Sequence, residues 1–572
     1  MTTATLQRAT KLMHQGELDL AEAELRKVLD AEPDCCLAWY NLGQLLHHAR
    51  HDARAATRCY LNVRRIEPGY ALAYAGLGEV SQELAWPQRA IGYFGWATRL
   101  DPRLSAPQLK RLMLKRSVCD WKTWDDDVNQ FRRLIDDCLA SPRPDLRLPP
   151  FYLNLFPVEP SVHLEVARRY AAALSQRMQP IIERNGTADT PRIEVRSDAR
   201  LRIGYVSPDF REHAVGRLIR TLFRHHDPDR FEVSVYSLVD VHDPVRHDIE
   251  SHCHRFRDIS QLSPAAAARQ IRADGIDVLV DLAGYTTHSR PEIFLLQPAP
   301  VQVQYLGYPG TLGSEYVPWM IADETVVPAE LVRHCSEQVV NLPTCFAMPE
   351  RDPDTALTDA RRGTGGIRLR EQHGLPPDAF VFCCFNDPSK IDPSTFDVWM
   401  NVLEEVPDSV LWLYAGHELC RDNLRREARA RGIDPARLVF AEWVPNEQHR
   451  KRLPLADLAL DTFLYNGGAT TIEALAAEVP VLTLPGASFV SRMTASLCRA
   501  ASLPELVSET ADEYRRTAIA LATDRSRLSS LRDRLQLPDT PLFDAPARVR
   551  EFGDMLCSLH ERAAKPPSVA RP

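Results

Sequence analysis

Residues 457–486 read DLALDTFLYNGGATTIEALAAEVPVLTLPG. The stretch predicts a strand over 457–461, a turn at Gly467-Gly468, a helix opening at Ala469-Thr470-Thr471, and a second strand over 479–484. Strand, turn, helix and strand in that order are the repeating unit of a parallel α/β sheet. Adjacent glycines let backbone come close to a ligand. A helix start offers N–H groups without intrahelical partners and a partial positive charge, which together suit a phosphate. Glu473, just inside the helix, stands where a carboxylate accepts from ribose hydroxyls. A site of this kind takes a nucleotide diphosphate; the same pattern also serves as a plain crossover with a capped helix. Neighbouring segments decide between the two.

The alternation extends on both sides. Apolar strands are predicted at 201–207, 231–238, 276–284, 301–307 and 319–323, with helices near 214–225, 243–251, 263–273 and 290–297. A second series has strands at 380–386, 409–416, 437–443, 458–461 and 479–484. Its helices fall near 394–405, 418–431, 446–453, 470–477 and 489–500, and a last one fits 544–562. The polar stretch 349–375 links two Rossmann-like halves, at 201–365 and 366–543. Residues 544–572 form a C-terminal helix and a tail read as disordered from Ala564. Tandem halves of this kind face a cleft, with ligands at strand C-termini.

The first hundred residues repeat themselves. AEP, IEP and LDP end at Pro33, Pro68 and Pro102, spacings of 35 and 34. Ala21, Ala56 and Ala90 lie twelve residues before those prolines, and Leu25, Tyr60 and Phe94 follow the alanines by four. This is the tetratricopeptide period, in which small residues let helices cross closely and a large one fills the groove. The array is placed at 1–141, with 103–141 as one degenerate capping repeat. It presents a surface to a peptide or protein, or serves as a packing scaffold. Residues 142–200 are a connector with a proline-rich start, a helix near 160–184 and a polar run near 185–198.

Composition excludes several classes. The chain has 572 residues, 44% hydrophobic and 26% charged, as in soluble globular proteins, and a net charge of −8 that gives no basic field for nucleic acid. No run reaches the roughly 18 apolar residues of a membrane span. The start, MTTATLQRATKLMHQ, lacks the apolar core of a secretory signal. The 13 cysteines include no CxxC and read as reduced thiols, which places the protein in the cytoplasm. His252-Cys253-His254 has no second ligand cluster at useful spacing, so no metal centre is assigned.

The chemistry-bearing residues sit at predicted strand ends. Lys390 follows strand 380–386 and can reach a diphosphate at the glycine turn. His449 and Arg452 lie one turn apart on a helix after strand 437–443 and can face one ligand, with Val444 where backbone reads a base. His213 follows the first strand, in a loop before a helix, where an imidazole acts as a base near neutral pH or caps and orients. GYPGT at 307–311 puts Gly307 and Pro309 after the fourth strand, as a turn or as backbone against a sugar.

Together GYVSPDF with His213, DLAGYT (281–286), QYLGYPGT (304–311), CFNDPSKIDPSTF (384–396), DSVLWL (408–413) and LDTFLYNGGATT (460–471) resemble the O-GlcNAc transferase family. The resemblance covers the whole chain. It implies an α-helical tetratricopeptide superhelix followed by an α/β GT-B fold, in a bacterial-type member with a short link between the halves. It implies an inverting glycosyltransferase that moves N-acetylglucosamine from UDP-GlcNAc to protein Ser/Thr hydroxyls, with no metal and no other cofactor. Spindly-type relatives using GDP-fucose, or a non-catalytic nucleotide-binding scaffold, are the alternatives.

Carried over, Lys390 binds the diphosphate and stabilises the leaving UDP, with Asn386 beside it. His213 lies near sugar and acceptor, where it is the candidate base. Val444 and His449 hold the uracil, with Arg452 nearby. Gly467, Gly468, Ala469 and Thr470 wrap the phosphates, with Thr471 in the same helix start, and Glu473 holds the ribose. Leu306 and Gly307 touch the sugar, with Pro309 beside them. Four positions depart from the animal enzymes: Gly468-Ala469 replaces His-Thr before the shared Thr470, Glu473 replaces aspartate, and Ser389 replaces tyrosine. These bear on the donor rather than the fold.

Overall fold

The computed structural model describes residues 2–142, 148–185, 200–351 and 363–564. The expected polar run near 185–198, the core of the link at 352–362 and the tail beyond Ala564 lie outside them. The chain divides into two compact units, one of Met1–Leu134 with His417–Asn423, the other of Ile135–Gly416 with Leu424–Pro572.

The first unit is built of helix pairs. Thr2–Gln15 pairs with Leu18–Ala31, Ala71–Glu83 with Pro87–Leu100, and Ser105–Ser117 is followed by Trp124–Ala140. Between the first two of these lies Cys36–Gln44, continued as a π-helical turn over Leu45–Ala49 and paired with Ala53–Ile66. The repeat residues pack as their sizes require. Tyr60 is fully buried, and a methyl group at Gly43 or Gly76 would stand 2.7 or 2.6 Å from its ring. One at Gly78 would stand 2.5 Å from Phe94. The second helices stop two residues short of each motif proline, because proline pushes its predecessor out of the helical region.

The second unit holds two parallel sheets. The first comprises β1 (Leu201–Ser207), β2 (Phe231–Ser237), β3 (Arg255–Asp258), β4 (Val278–Asp281), β5 (Val301–Tyr305), β6 (Trp319–Ala322) and β7 (Gln338–Asn341), in the order β3-β2-β1-β4-β5-β6-β7. The second comprises β8 (Phe380–Cys384), β9 (Ser409–Tyr414), β10 (Leu438–Ala441), β11 (Leu458–Leu460) and β12 (Val481–Leu482), in the order β10-β9-β8-β11-β12. Strand order reverses between β1 and β4 in one sheet and between β8 and β11 in the other. Crevices open at the C-terminal ends of strands at such points. His213 follows β1, Lys390 follows β8, and the glycine turn follows β11.

Two strands escape the sequence reading. β3 (RFRD) and β7 (QVVN) are sheet edges whose polar residues break the apolar pattern, and Arg257 of β3 is paired with Asp274. Helices Ala511–Thr523 and Arg525–Gln536 were also not anticipated. The connector is not a mere spacer: its helix Pro160–Asn185 buries Ala171, Leu174 and Met178 in a core with Val206, Tyr236 and Leu279. The last helix, Ala545–Ala564, returns to the first sheet, where Val549, Phe552, Leu556 and Leu559 share a core with Val233 and Val303. Each such side chain contributes about 1.5–3 kcal/mol, so this helix is part of the first lobe's core.

Candidate active site

The glycine turn is organised from beneath by a buried carboxylate. Asp461, just past β11, accepts from Gly467 N (2.8 Å), Thr483 Oγ1 (2.9 Å) and Asn386 Nδ2 (3.1 Å). Tyr514, on an unanticipated helix, donates to the Asp461 carbonyl at 3.2 Å. Asn386 is spent on this network: its Nδ2 also donates to Thr462 Oγ1 (2.9 Å), and its Oδ1 accepts from Thr470. It therefore ties β8 to the turn. Gly467 is turned inward, against expectation. A methyl group there would lie 2.4 Å from Thr471 Oγ1 and 2.9 Å from Asn386 Oδ1, so packing alone requires glycine. Thr471 is likewise inward, its hydroxyl 2.9 Å from Thr494 Oγ1.

Gly468, Ala469 and Thr470 face a cavity of about 740 Å³. The helix Ala469–Ala476 has Gly468 at its N-cap and no side-chain cap, so its first-turn N–H groups are left to a ligand. Lys390 enters the same cavity from a short turn after β8. Its Nζ donates to Asn466 O at 2.9 Å and sits 3.9 Å over the Tyr465 ring. Burial pulls the ammonium down to about 8 against the opposing pull of Asp461 and Asp387. A cation and an open helix start thus line one cavity.

The first lobe supplies the opposite wall, from His213, Leu306, Gly307 and Pro309. Leu306 adopts a left-handed φ of 64°, and a methyl at Gly307 would lie 1.7 Å from the Leu282 carbonyl oxygen. Backbone strain of this kind gathers at functional sites. His213 caps the helix Ala214–His225, its Nδ1 accepting from Val215 N at 3.3 Å, with Asp209 Oδ1 at 3.4 Å. Burial lowers its basicity. Nδ1 thus meets two partners of opposite demand: the Val215 N–H takes its lone pair, while the Asp209 carboxylate draws a proton onto it, which leaves Nε2 an acceptor toward the cavity. The cap is the role the geometry shows directly.

A second cavity, of about 1210 Å³, shares Asp387 and Thr470 with the first and is also lined by Phe385, Trp443, Val444, His449, Arg452 and Glu473. Arg452 Nε donates to His449 Nδ1 at 3.1 Å, and burial holds that imidazole down to about 3. Neutral His449 therefore presents Nε2–H, a donor suited to a base carbonyl. Glu473 accepts from Asn446 Nδ2 (2.7 Å) and pairs with Arg217 of the first lobe (3.2 Å). A ribose at Glu473 competes with these partners. Trp443 is 71% exposed here.

Sequence reasoning missed Asp461, Tyr465, Arg217 and Trp443. Asp461 and Trp443 were hidden inside predicted strands, and the overrun was itself a signal. Apolar residues past the last paired residue, such as Leu306 after Tyr305 and Trp443 after Ala441, belong to the cavities.

The sequence matches the description "Glycosyl transferase family 41" over residues 118–353 and 352–551. It is 35% identical over 416 residues to "Probable UDP-N-acetylglucosamine--peptide N-acetylglucosaminyltransferase SEC" of Arabidopsis thaliana, covering 70% of this chain and 42% of that protein. It is 29% identical over 555 residues to the UDP-N-acetylglucosamine--peptide N-acetylglucosaminyltransferase of Caenorhabditis elegans, covering 78% and 48%. The chain thus spans under half the length of these relatives. The fold matches a solved mutant O-GlcNAc transferase of Thermobaculum terrenum with TM-score 0.67 and 26% identity, covering 98% of each chain.

Proposed function

The chain belongs to glycosyl transferase family 41, and from that premise we propose that it transfers N-acetylglucosamine from UDP-GlcNAc to Ser/Thr hydroxyls of a protein, inverting the anomeric carbon. The observation that carries this reading is the placement of Lys390 Nζ, 2.9 Å from the carbonyl of Asn466, at the mouth of the uncapped helix start. As the glycosidic bond breaks, negative charge grows on the β-phosphate oxygen. Lys390 and the N–H groups at 469–470 meet that charge, and pre-organised donors of this kind stabilise a transition state by about 3–4 kcal/mol each. The nucleobase lies against Val444 and Trp443, with His449 Nε2–H as its donor. The sugar lies toward Leu306 and Gly307. His213 faces the sugar and acceptor, and the acceptor proton leaves to His213, to a donor oxygen or to a relayed water.

We propose that transfer is metal-independent, because lysine and helix start supply the positive charge; equal initial rates with and without EDTA are expected. The protein acceptor is taken up through the groove of the repeats, and the reaction takes place in the cytoplasm. No described helix is long and apolar enough to cross a membrane. A panel of nucleotide sugars, read as released UDP or GDP in the presence of acceptor peptide, tests the donor. UDP release from UDP-GlcNAc alone is expected; GDP release from GDP-fucose would move the assignment to the fucosyl donor. Nucleotide binding without turnover of any donor would reduce the unit to a scaffold.

A further inference from the structure

A group of side chains in the repeat unit has no part in the chemistry above. The π-helical turn Leu45–Ala49 carries His47 and His48 in succession. Successive residues of an α-helix point about 100° apart. Here the widened turn brings the two rings to 4.3 Å between centroids, tilted by 35°. Single π turns inside helices recur at functional positions. Both rings face Glu79 of the neighbouring repeat helix: His47 Nδ1 is 3.9 Å, and His48 Nε2 3.8 Å, from Glu79 Oε2. These three ligand atoms lie within 4.8 Å of one another.

The protonation pattern leaves a cation-shaped gap. His47 is 7% exposed, and its Nε2 lies 3.0 Å from Glu83 Oε2. That carboxylate fixes the proton on Nε2, so Nδ1 keeps its lone pair, and Nδ1 is buried with no hydrogen-bond partner. Lys110 Nζ takes Glu79 Oε1 at 2.5 Å, leaving Oε2 free. Two unprotonated acceptors thus face each other across a gap too wide for a hydrogen bond. A histidine ligand whose far nitrogen donates to a carboxylate is the usual arrangement around zinc. Metal–ligand bonds of about 2.0–2.1 Å in a tetrahedron set ligand atoms about 3.3 Å apart. The two edges to Glu79 need to close by about half an ångström and the edge between the imidazoles by up to about 1.5 Å, movements open to the half-exposed His48 and the rim carboxylate Glu79.

We propose that the repeat unit binds one divalent transition metal, zinc in the first place, through His47 Nδ1, His48 Nε2 and Glu79 Oε2, with Glu83 as the outer carboxylate and a solvent molecule in the fourth position. Two imidazoles and a carboxylate suit zinc, and Co²⁺ can report on the same geometry. The ion bridges two consecutive repeats and stiffens the array without touching the transferase cavity.

The test is titration of the EDTA-treated 572-residue chain with ZnCl₂ by calorimetry, and with CoCl₂ by visible absorption. One equivalent of Zn²⁺ with dissociation constant at or below the micromolar range, d–d bands of a four-coordinate Co²⁺ centre and a raised melting temperature are expected. His48→Gln and Glu79→Gln, both at positions that reach solvent, are expected to melt like the metal-free parent and to lose at least tenfold in affinity together with the Co²⁺ bands. Absence of a stoichiometric equivalent would overturn the proposal. So would an equivalent, with its Co²⁺ bands, that survives unchanged in the His48→Gln/Glu79→Gln double variant, since it would then belong to another group such as His252-Cys253-His254.

Discussion

Of the helix starts that line the cavity beside Lys390, two are finished in opposite ways. In the first lobe the helix Ala214–His225 is capped by its own His213. In the second lobe the helix Ala469–Ala476 begins at Gly468 with no side-chain cap. Elsewhere in the same lobe Asp392 accepts from Ser394 N and Thr395 N, and Asp524 from Ser526 N and Arg527 N, whereas Met493–Ala500 also starts without a side-chain cap. An uncapped start is a stability deficit of about 0.5–2 kcal/mol, and at Gly468 it faces a lysine across a cavity. On the proposed reading a diphosphate completes the second helix, while the first helix is capped without a ligand.

The largest expected effect tests the open start through its partner. Lys390→Ala should lower kcat by about 10²–10³, the loss typical of one oxyanion donor, with the melting temperature unchanged because the ammonium is held against a desolvation cost. Next, Gly468→Asp supplies the missing cap, and the space beside Gly468 admits it, the nearest atom being Met493 Cε at 3.8 Å. Thermal stability should rise while donor affinity falls at least tenfold; stability and affinity moving together would break the comparison.

A third effect concerns pH. Lys390 must be protonated to meet the phosphate, and burial lowers it to about 8. Activity is therefore full below that value and lost as pH rises through it, giving kcat/KM an alkaline limb near 8. Lys390→Arg should move this limb upward, since a guanidinium stays charged. The smallest effect belongs to the capped helix. His213→Asn keeps a good cap and should retain stability, whereas His213→Ala should cost about 1 kcal/mol in denaturant unfolding. The acid side of the kcat/KM profile should be the same in both variants as in the parent; an acidic limb present in the parent and lost in both would assign His213 the role of base.

The sequence made the open start legible because Gly-Gly before a helix, and a lysine after a strand, are local signals. The repeats were legible for the same reason: Ala, Gly and Tyr60 recur at fixed spacing because ring and backbone must interlock. What stayed hidden depends on distant partners. Asp461 looks like a strand end until Gly467, Thr483 and Asn386 are seen to converge on it. Gly467 and Thr471 look like ligand contacts, yet Asn386 just past β8 crowds the glycine and Thr494, in the helix Met493–Ala500, holds the threonine inward. The final helix is amphipathic in sequence, but nothing local says that its apolar face returns to the first sheet. His47 and His48 appear to diverge until the π turn aligns them.

The central claim is that Lys390 and the uncapped helix hold one pyrophosphate together. Calorimetric titration of UDP and of uridine into the parent chain and Lys390→Ala tests it most directly. UDP affinity should fall at least tenfold in the variant while uridine affinity stays the same; UDP binding equally well to both would contradict it.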